Sequence, residues 1–131
     1  MSDLTICSFE ASNAGIAVAG TVDREGATFV IIVDGERVAR EQRLESAIRT
    51  LGQHVRRRLP HGRSPSWGVG VSCVSGGFSF GYGNRASSGG SGARPQFSPC
   101  VQRAIANYPP HQAGLSAALE HAERALIECC R

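Results

Sequence analysis

Three consecutive arginines, Arg56-Arg57-Arg58, followed by His61 and Arg63, form the densest group of chemistry-bearing side chains in the sequence. A guanidinium is a planar, permanently charged fork that fits phosphate and carboxylate oxygens. On a helix, three consecutive side chains fan across roughly 200° at 3.6 residues per turn, so they cannot grip one compact anion but can spread along an extended one. The bland explanation is the helix macrodipole, which favours cations at a C-terminus by ~0.3–1 kcal/mol each when exposed. Three in a row exceed what that effect requires.

A second group is Phe78-Ser79-Phe80-Gly81-Tyr82. Strand alternation puts Phe78, Phe80 and Tyr82 on one face and only serine and glycine on the other. The aromatic face is either core or a platform on which unpaired bases stack while flanking arginines take phosphates. The string resembles the aromatic-glycine strand of RNA-recognition domains, but Gly76 stands where a basic residue is expected, Gly83 stands where the last aromatic belongs, and the strand order differs. No family is assigned from it. A third group is the loop between Asn84 and Pro95, where Arg85 and Arg94 bracket a Ser/Gly tract. Such a loop is a tether or a clasp that orders over a partner.

Catalytic chemistry finds little footing. The chain has no lysine for a phosphate-binding loop, and no Ser or Cys sits in a recognisable triad pattern. Glu10 at the end of the first strand and Glu45 at the start of the first helix stand somewhat as the acids of ribonuclease H-like folds do. The later strands carry no acid to complete a two-metal site. The five cysteines, Cys7, Cys73, Cys100, Cys129 and Cys130, are odd in number and lack disulfide-like spacing, so they read as reduced thiols, with Cys7, Cys73 and Cys100 as small core residues. His121 with Cys129 or Cys130 is a weak metal grouping. The expectation is no metal and no cofactor.

Charge supports a binding role. Residues 1–45 carry −4, residues 46–119 carry +8 and residues 120–131 carry −1, within a net charge of +3. Between Ser46 and Leu119 there is no acid at all, but there are eight arginines. Such asymmetry points to a surface that faces an anionic partner.

The elements that must position these groups follow from periodicity. Strands are predicted at Leu4–Glu10, Ile16–Val22, Thr28–Val33 and 36–42, with Asp34-Gly35 as a type I′ hairpin turn. Leu44, Ile48, Leu51, Val55 and Leu59 recur at helical spacing and predict a helix over 44–58. Trp67–Val74 and Phe78–Tyr82 read as a second hairpin, and residues 83–96 as a mobile Gly/Ser-rich loop. Ser98-Pro99 opens a helix to about 107, and a last helix spans about 113–129.

This order predicts a single α+β domain over 1–131: a mostly antiparallel sheet, built from a meander of about four strands, a helix and a β-hairpin, with two C-terminal helices packed on it. Because TFVIIV at 28–33 is apolar on both sides, both sheet faces are expected to be covered, one by the first helix and the other by the C-terminal helices or a second subunit. A homodimer is compatible with that. No apolar run is long enough to span a membrane, no secretory leader is evident, and a cytoplasmic location is expected.

The functional expectation is a small non-enzymatic binding protein whose Arg-rich middle engages nucleic acid through Arg56, Arg57, Arg58, Arg63, Arg85, Arg94, Phe78, Phe80 and Tyr82. The alternative is an inhibitor or adaptor of the kind phages and mobile elements encode, docking an acidic protein surface. A small cofactor-independent enzyme using a histidine or cysteine is the weaker third reading.

Overall fold

The structure, a computed structural model, describes residues 4–60, 66–74, 76–83 and 98–130. Arg63, Arg85, Arg94 and all of the predicted mobile loop except Gly83 lie outside these residues. The elements are β1 (Leu4–Asn13), β2 (Ile16–Glu25), β3 (Thr28–Val33), β4 (Glu36–Glu41), α1 (Leu44–Arg58), β5 (Trp67–Cys73), β6 (Phe78–Gly83), α2 (Pro99–Ala106), a single 3-10 turn at His111–Ala113, and α3 (Gly114–Cys129). The strands form one sheet in the order β4-β3-β2-β1-β5-β6, antiparallel throughout, with the C-terminal helices packed on it. The α+β class expected from the element order is the class observed.

Turn chemistry sets the strand lengths. Asp34 and Gly35 take φ of 53° and 82°, as a type I′ turn requires, and the Asp34 carboxylate accepts the Ala19 amide at 3.1 Å to pin the turn to β2. Ala14 and Gly15 do the same with φ of 56° and 84°. This turn uses only two residues of the small-residue stretch, so β1 runs on through Asn13, beyond the predicted end at Glu10. Ser98 caps α2 as expected, its Oγ accepting the Val101 amide at 3.4 Å.

One core lies between the sheet and the helices. Phe9, Val22, Ile31, Val33 and Val71 project from the sheet, Ile48, Leu51 and Val55 from α1, and Leu119, Ala122 and Leu126 from α3. A Cβ on Gly20 would fall 2.5 Å from Leu51 Cδ1, so the bare backbone of β2 lets α1 settle close. Asn13 is buried at the far end of β1 and donates to the Pro60 carbonyl at 2.9 Å, which ties that end to the chain leaving α1.

The helices do not divide between the two faces. α1 packs on β2, β3 and β4, α3 packs on β5, and the two helices touch each other, so all of them share one face. Six strands about 4.8 Å apart are wide enough for two helices of about 10 Å diameter to stand side by side. The second apolar side of β3 is handled locally. Val30 and Ile32 stand in register with Arg40 and Arg37, whose guanidiniums converge on Glu25 at 2.6 and 3.0 Å, and Val30 is buried.

The reduced-thiol expectation is also corrected. Cys73 is bonded to Cys130 and Cys100 to Cys129, which leaves Cys7 as the free cysteine. The adjacent pair at the end of α3 splits, one sulfur going to the sheet and the other to α2. Separations of 57 and 29 residues carry no spacing signature, because only the return of α3 across the sheet brings these sulfurs together. Among the described residues no helix is long and apolar enough to cross a membrane.

Candidate binding surface

The arginine run divides as its helical fan dictates. Arg56 Nη1 lies 3.1 Å from Glu123 Oε1 on α3. Arg58 turns the other way, to Asp34 at 3.6 Å and Glu36 at 3.2 Å around the β3–β4 turn. Arg57 stands between them, exposed, with no ion pair among the described residues. Arg49 is paired with Glu45 at 3.0 Å, and Arg103 is exposed and unpaired among the described residues. Three of the five described arginines of the acid-free segment are therefore neutralised by carboxylates lying outside it in sequence. The Glu123 carboxyl is half-buried, and desolvation pushes its pKa up against the pull of Arg56 and Arg49.

The aromatic residues lie on the helix-covered face. Phe78 is buried and stacks on Phe80 at 5.9 Å, and Phe80 meets Tyr108 at 5.7 Å. Tyr108 in turn meets His121 edge-on at 5.6 Å. The two phenylalanines thus belong to the core, which leaves no platform of open rings at Phe78 and Phe80. Tyr82 continues β6 opposite Val69, and its ring lies outside what is described. Burial raises the Tyr108 hydroxyl to about 12. Burial also lowers the His121 pKa, against a hydrogen bond between its Nε2 and the Ala104 carbonyl at 2.9 Å. Cys129 and Cys130 are both in disulfides and offer His121 no thiolate, and among the described residues no cluster of three His, Cys, Asp or Glu could hold a metal. The Cys7 thiol is driven up to about 12, first by burial, and is no nucleophile at neutral pH.

Among the described residues, nothing covers the opposite face of the sheet over β2, β1, β5 and β6. Across its centre the register sets Gly81, Gly70, Glu10 and Ala19 in one row, and Gly83, Gly68, Ser12 and Ala17 in the next. A third row holds Ser79, Ser72, Ser8 and Thr21, with the Ser8 and Ser72 hydroxyls 2.7 Å apart. Gly68, Gly70, Gly81 and Gly83 form a two-by-two patch of backbone without side chains, and Glu10 is the one long side chain in these three rows. A shallow trough of about 540 Å³ runs over Glu10, Ser12, Ala19 and Gly70, and a neighbouring hollow of about 330 Å³ runs over Ser8, Glu10, Thr21 and Asp34. Glu10 is exposed, and among the described residues its carboxylate has no hydrogen-bond or ion-pair partner.

The bare face was legible in part. In FSFGYG the apolar and small residues alternate, and WGVGVSC repeats the pattern one strand away. What the strings do not carry is their register, which stacks the two glycine pairs and sets Glu10 beside them. No protein-family model, curated protein or solved structure matches this chain.

Proposed function

We propose that this chain is a small non-enzymatic binding protein of the inhibitor or adaptor type, which meets a protein partner through the uncovered face of its sheet. The observation that carries this reading is the one-sided layering: among the described residues every helix lies on one face, and on the other β2, β1, β5 and β6 present mostly glycine, alanine and serine. Those four strands, about 4.8 Å apart and each about six residues long at ~3.3 Å per residue, present roughly 400 Å² in plane. That is about half of the ~800 Å² each partner contributes to a standard interface, which suits a small or transient one. The rings at Phe78 and Phe80 and the ion pairs of Arg56 and Arg58 serve the fold, which weakens a nucleic-acid reading resting on those groups. The two disulfides support a working place in an oxidising compartment rather than in the reducing cytosol.

The test compares capture of a partner from the source organism by the unaltered chain, by Ser72→Arg on the bare face, and by Gln53→Arg on the exposed side of α1. Capture lost only in the Ser72 variant is the expected result. Capture retained by that variant overturns the sheet-face reading. In parallel, an anisotropy titration with a single-stranded oligonucleotide is expected to show no steep salt dependence. A log–log slope of about −0.7 per phosphate that flattens in Arg57→Ala would restore the anionic-partner reading.

A further inference from the structure

Resting on that sheet-face reading, we infer that the partner presents a cationic side chain, arginine or lysine on a flat or extended segment, which seats over the glycine patch against Glu10. The first ground is charge. Among the described residues, the charged side chains that line the trough and the hollow beside it are Glu10 and Asp34, both acidic, in a protein of net charge +3. Asp34 is already engaged by the Ala19 amide and by Arg58, so Glu10 is the carboxylate left for a ligand.

The second ground is Gly70, which the fold does not require. It has no positive φ, and a Cβ there would find its nearest neighbours at 3.8 Å, on Glu10 Cγ, and 3.9 Å, on the Phe80 carbonyl, both ordinary contacts. Gly81 and Gly83 differ, since a Cβ on either would meet β5 carbonyl oxygens at 3.0 and 2.5 Å. A glycine inside an unbulged strand weakens it, and where packing does not demand the glycine, close approach by another molecule remains the reason for it. The Glu10 stem lies beside that bare backbone. A guanidinium laid flat on the patch would reach the carboxylate sideways, with Ser12 lining the same trough.

The same charges argue against two other occupants. A second copy docked face to face about an axis through the trough would bring Glu10 of one chain close to Glu10 of the other, and like charges across an interface are strongly unfavourable. A nucleic acid would meet carboxylates where it needs cations.

The experiment titrates the ¹⁵N-labelled protein with short extended peptides that are identical except for a central arginine, citrulline or glutamate. The arginine peptide is expected to shift the amides of Ser8–Ser12, Ala17–Thr21 and Gly68–Ser72 and to bind on the order of tenfold more tightly than its citrulline counterpart, because a pair desolvated on docking is worth more than an exposed one. Glu10→Gln should bring the arginine peptide down to the citrulline level. Gly70→Leu, whose side chain enters the open trough, should abolish the shifts while the remaining spectrum keeps its dispersion. Equal binding of the citrulline or glutamate peptide at these amides overturns the cationic assignment and leaves the sheet-face reading standing. Full binding by either variant also overturns the seat at Glu10 and Gly70. If no peptide shifts these amides, or the arginine peptide shifts only others, both the inference and the sheet-face reading fall.

Discussion

Reducing the two disulfides should remove most of the stability of the fold. The Cys100–Cys129 bond closes a loop of 29 residues, and in the chain-entropy treatment such a closure contributes about 3.6 kcal/mol at 25 °C. The Cys73–Cys130 bond spans 57 residues and by itself contributes about 4.2 kcal/mol. The first loop is nested within the second, so with the inner bond present the outer one constrains only about half its span, and its share falls to about 3.6 kcal/mol. Together the bonds are worth about 7 kcal/mol, against the 5–15 kcal/mol that holds an ordinary domain folded. Urea unfolding followed by far-UV circular dichroism, with and without a phosphine reductant, should show the midpoint collapse on reduction. Cys100→Ser with Cys129→Ser should lose about half as much. Thiol titration of the oxidised, denatured chain should find one reactive cysteine, Cys7. More than one thiol, or a midpoint that ignores the reductant, would refute the reasoning.

Phe78→Ala should cost about 3–5 kcal/mol in unfolding free energy as a buried ring, where a solvent-facing platform residue would cost under about 0.5. Gly52→Ala, in the middle of α1, should forfeit the usual gain of ~1 kcal/mol, because the new methyl takes the place of the Glu123 carboxylate and drives it off Arg56; in a Glu123→Ala background the gain should reappear in urea midpoints. His121 has a folded pKa below its ordinary 6.5, so its contribution to stability is present above that value and lost as pH falls through the folded one. Unfolding free energy measured between pH 7 and 5 should decline, and His121→Gln should remove this group's part of the slope.

The local signals in this sequence are strong and the long-range ones faint. The helix predicted over 44–58 and the strand at Thr28–Val33 match the structure residue for residue, because one is set by a five-member apolar stripe and the other by a β-branched run between two turns. The layering was misjudged at the same strand. TFVIIV is apolar on both sides, but β3 lies one in from the edge, and Arg37 and Arg40 stand in register with Ile32 and Val30 on the side where a second layer of helices was expected. The cysteines fail for a related reason. Cys73 sits in a strand and Cys130 at the end of the last helix, and nothing short of the tertiary path brings them within bonding distance.

The charge pattern shows why linear asymmetry is a poor guide to a surface. An acid-free segment with eight arginines suggests a basic face, but the segment is not a contiguous surface. Its α1 lies between the turn that carries Asp34 and Glu36 and the helix that carries Glu123, so Arg58 and Arg56 are drawn into opposite ion pairs. Its two strands, β5 and β6, contribute no arginine to the sheet; they supply the glycines and serines beside Glu10 from the acidic N-terminal part. The most basic stretch of the chain thereby builds half of a trough whose charge is negative. Read by register rather than by position in the chain, the unpaired charge that lines the trough among the described residues is the Glu10 carboxylate, and the partner chemistry to look for is cationic.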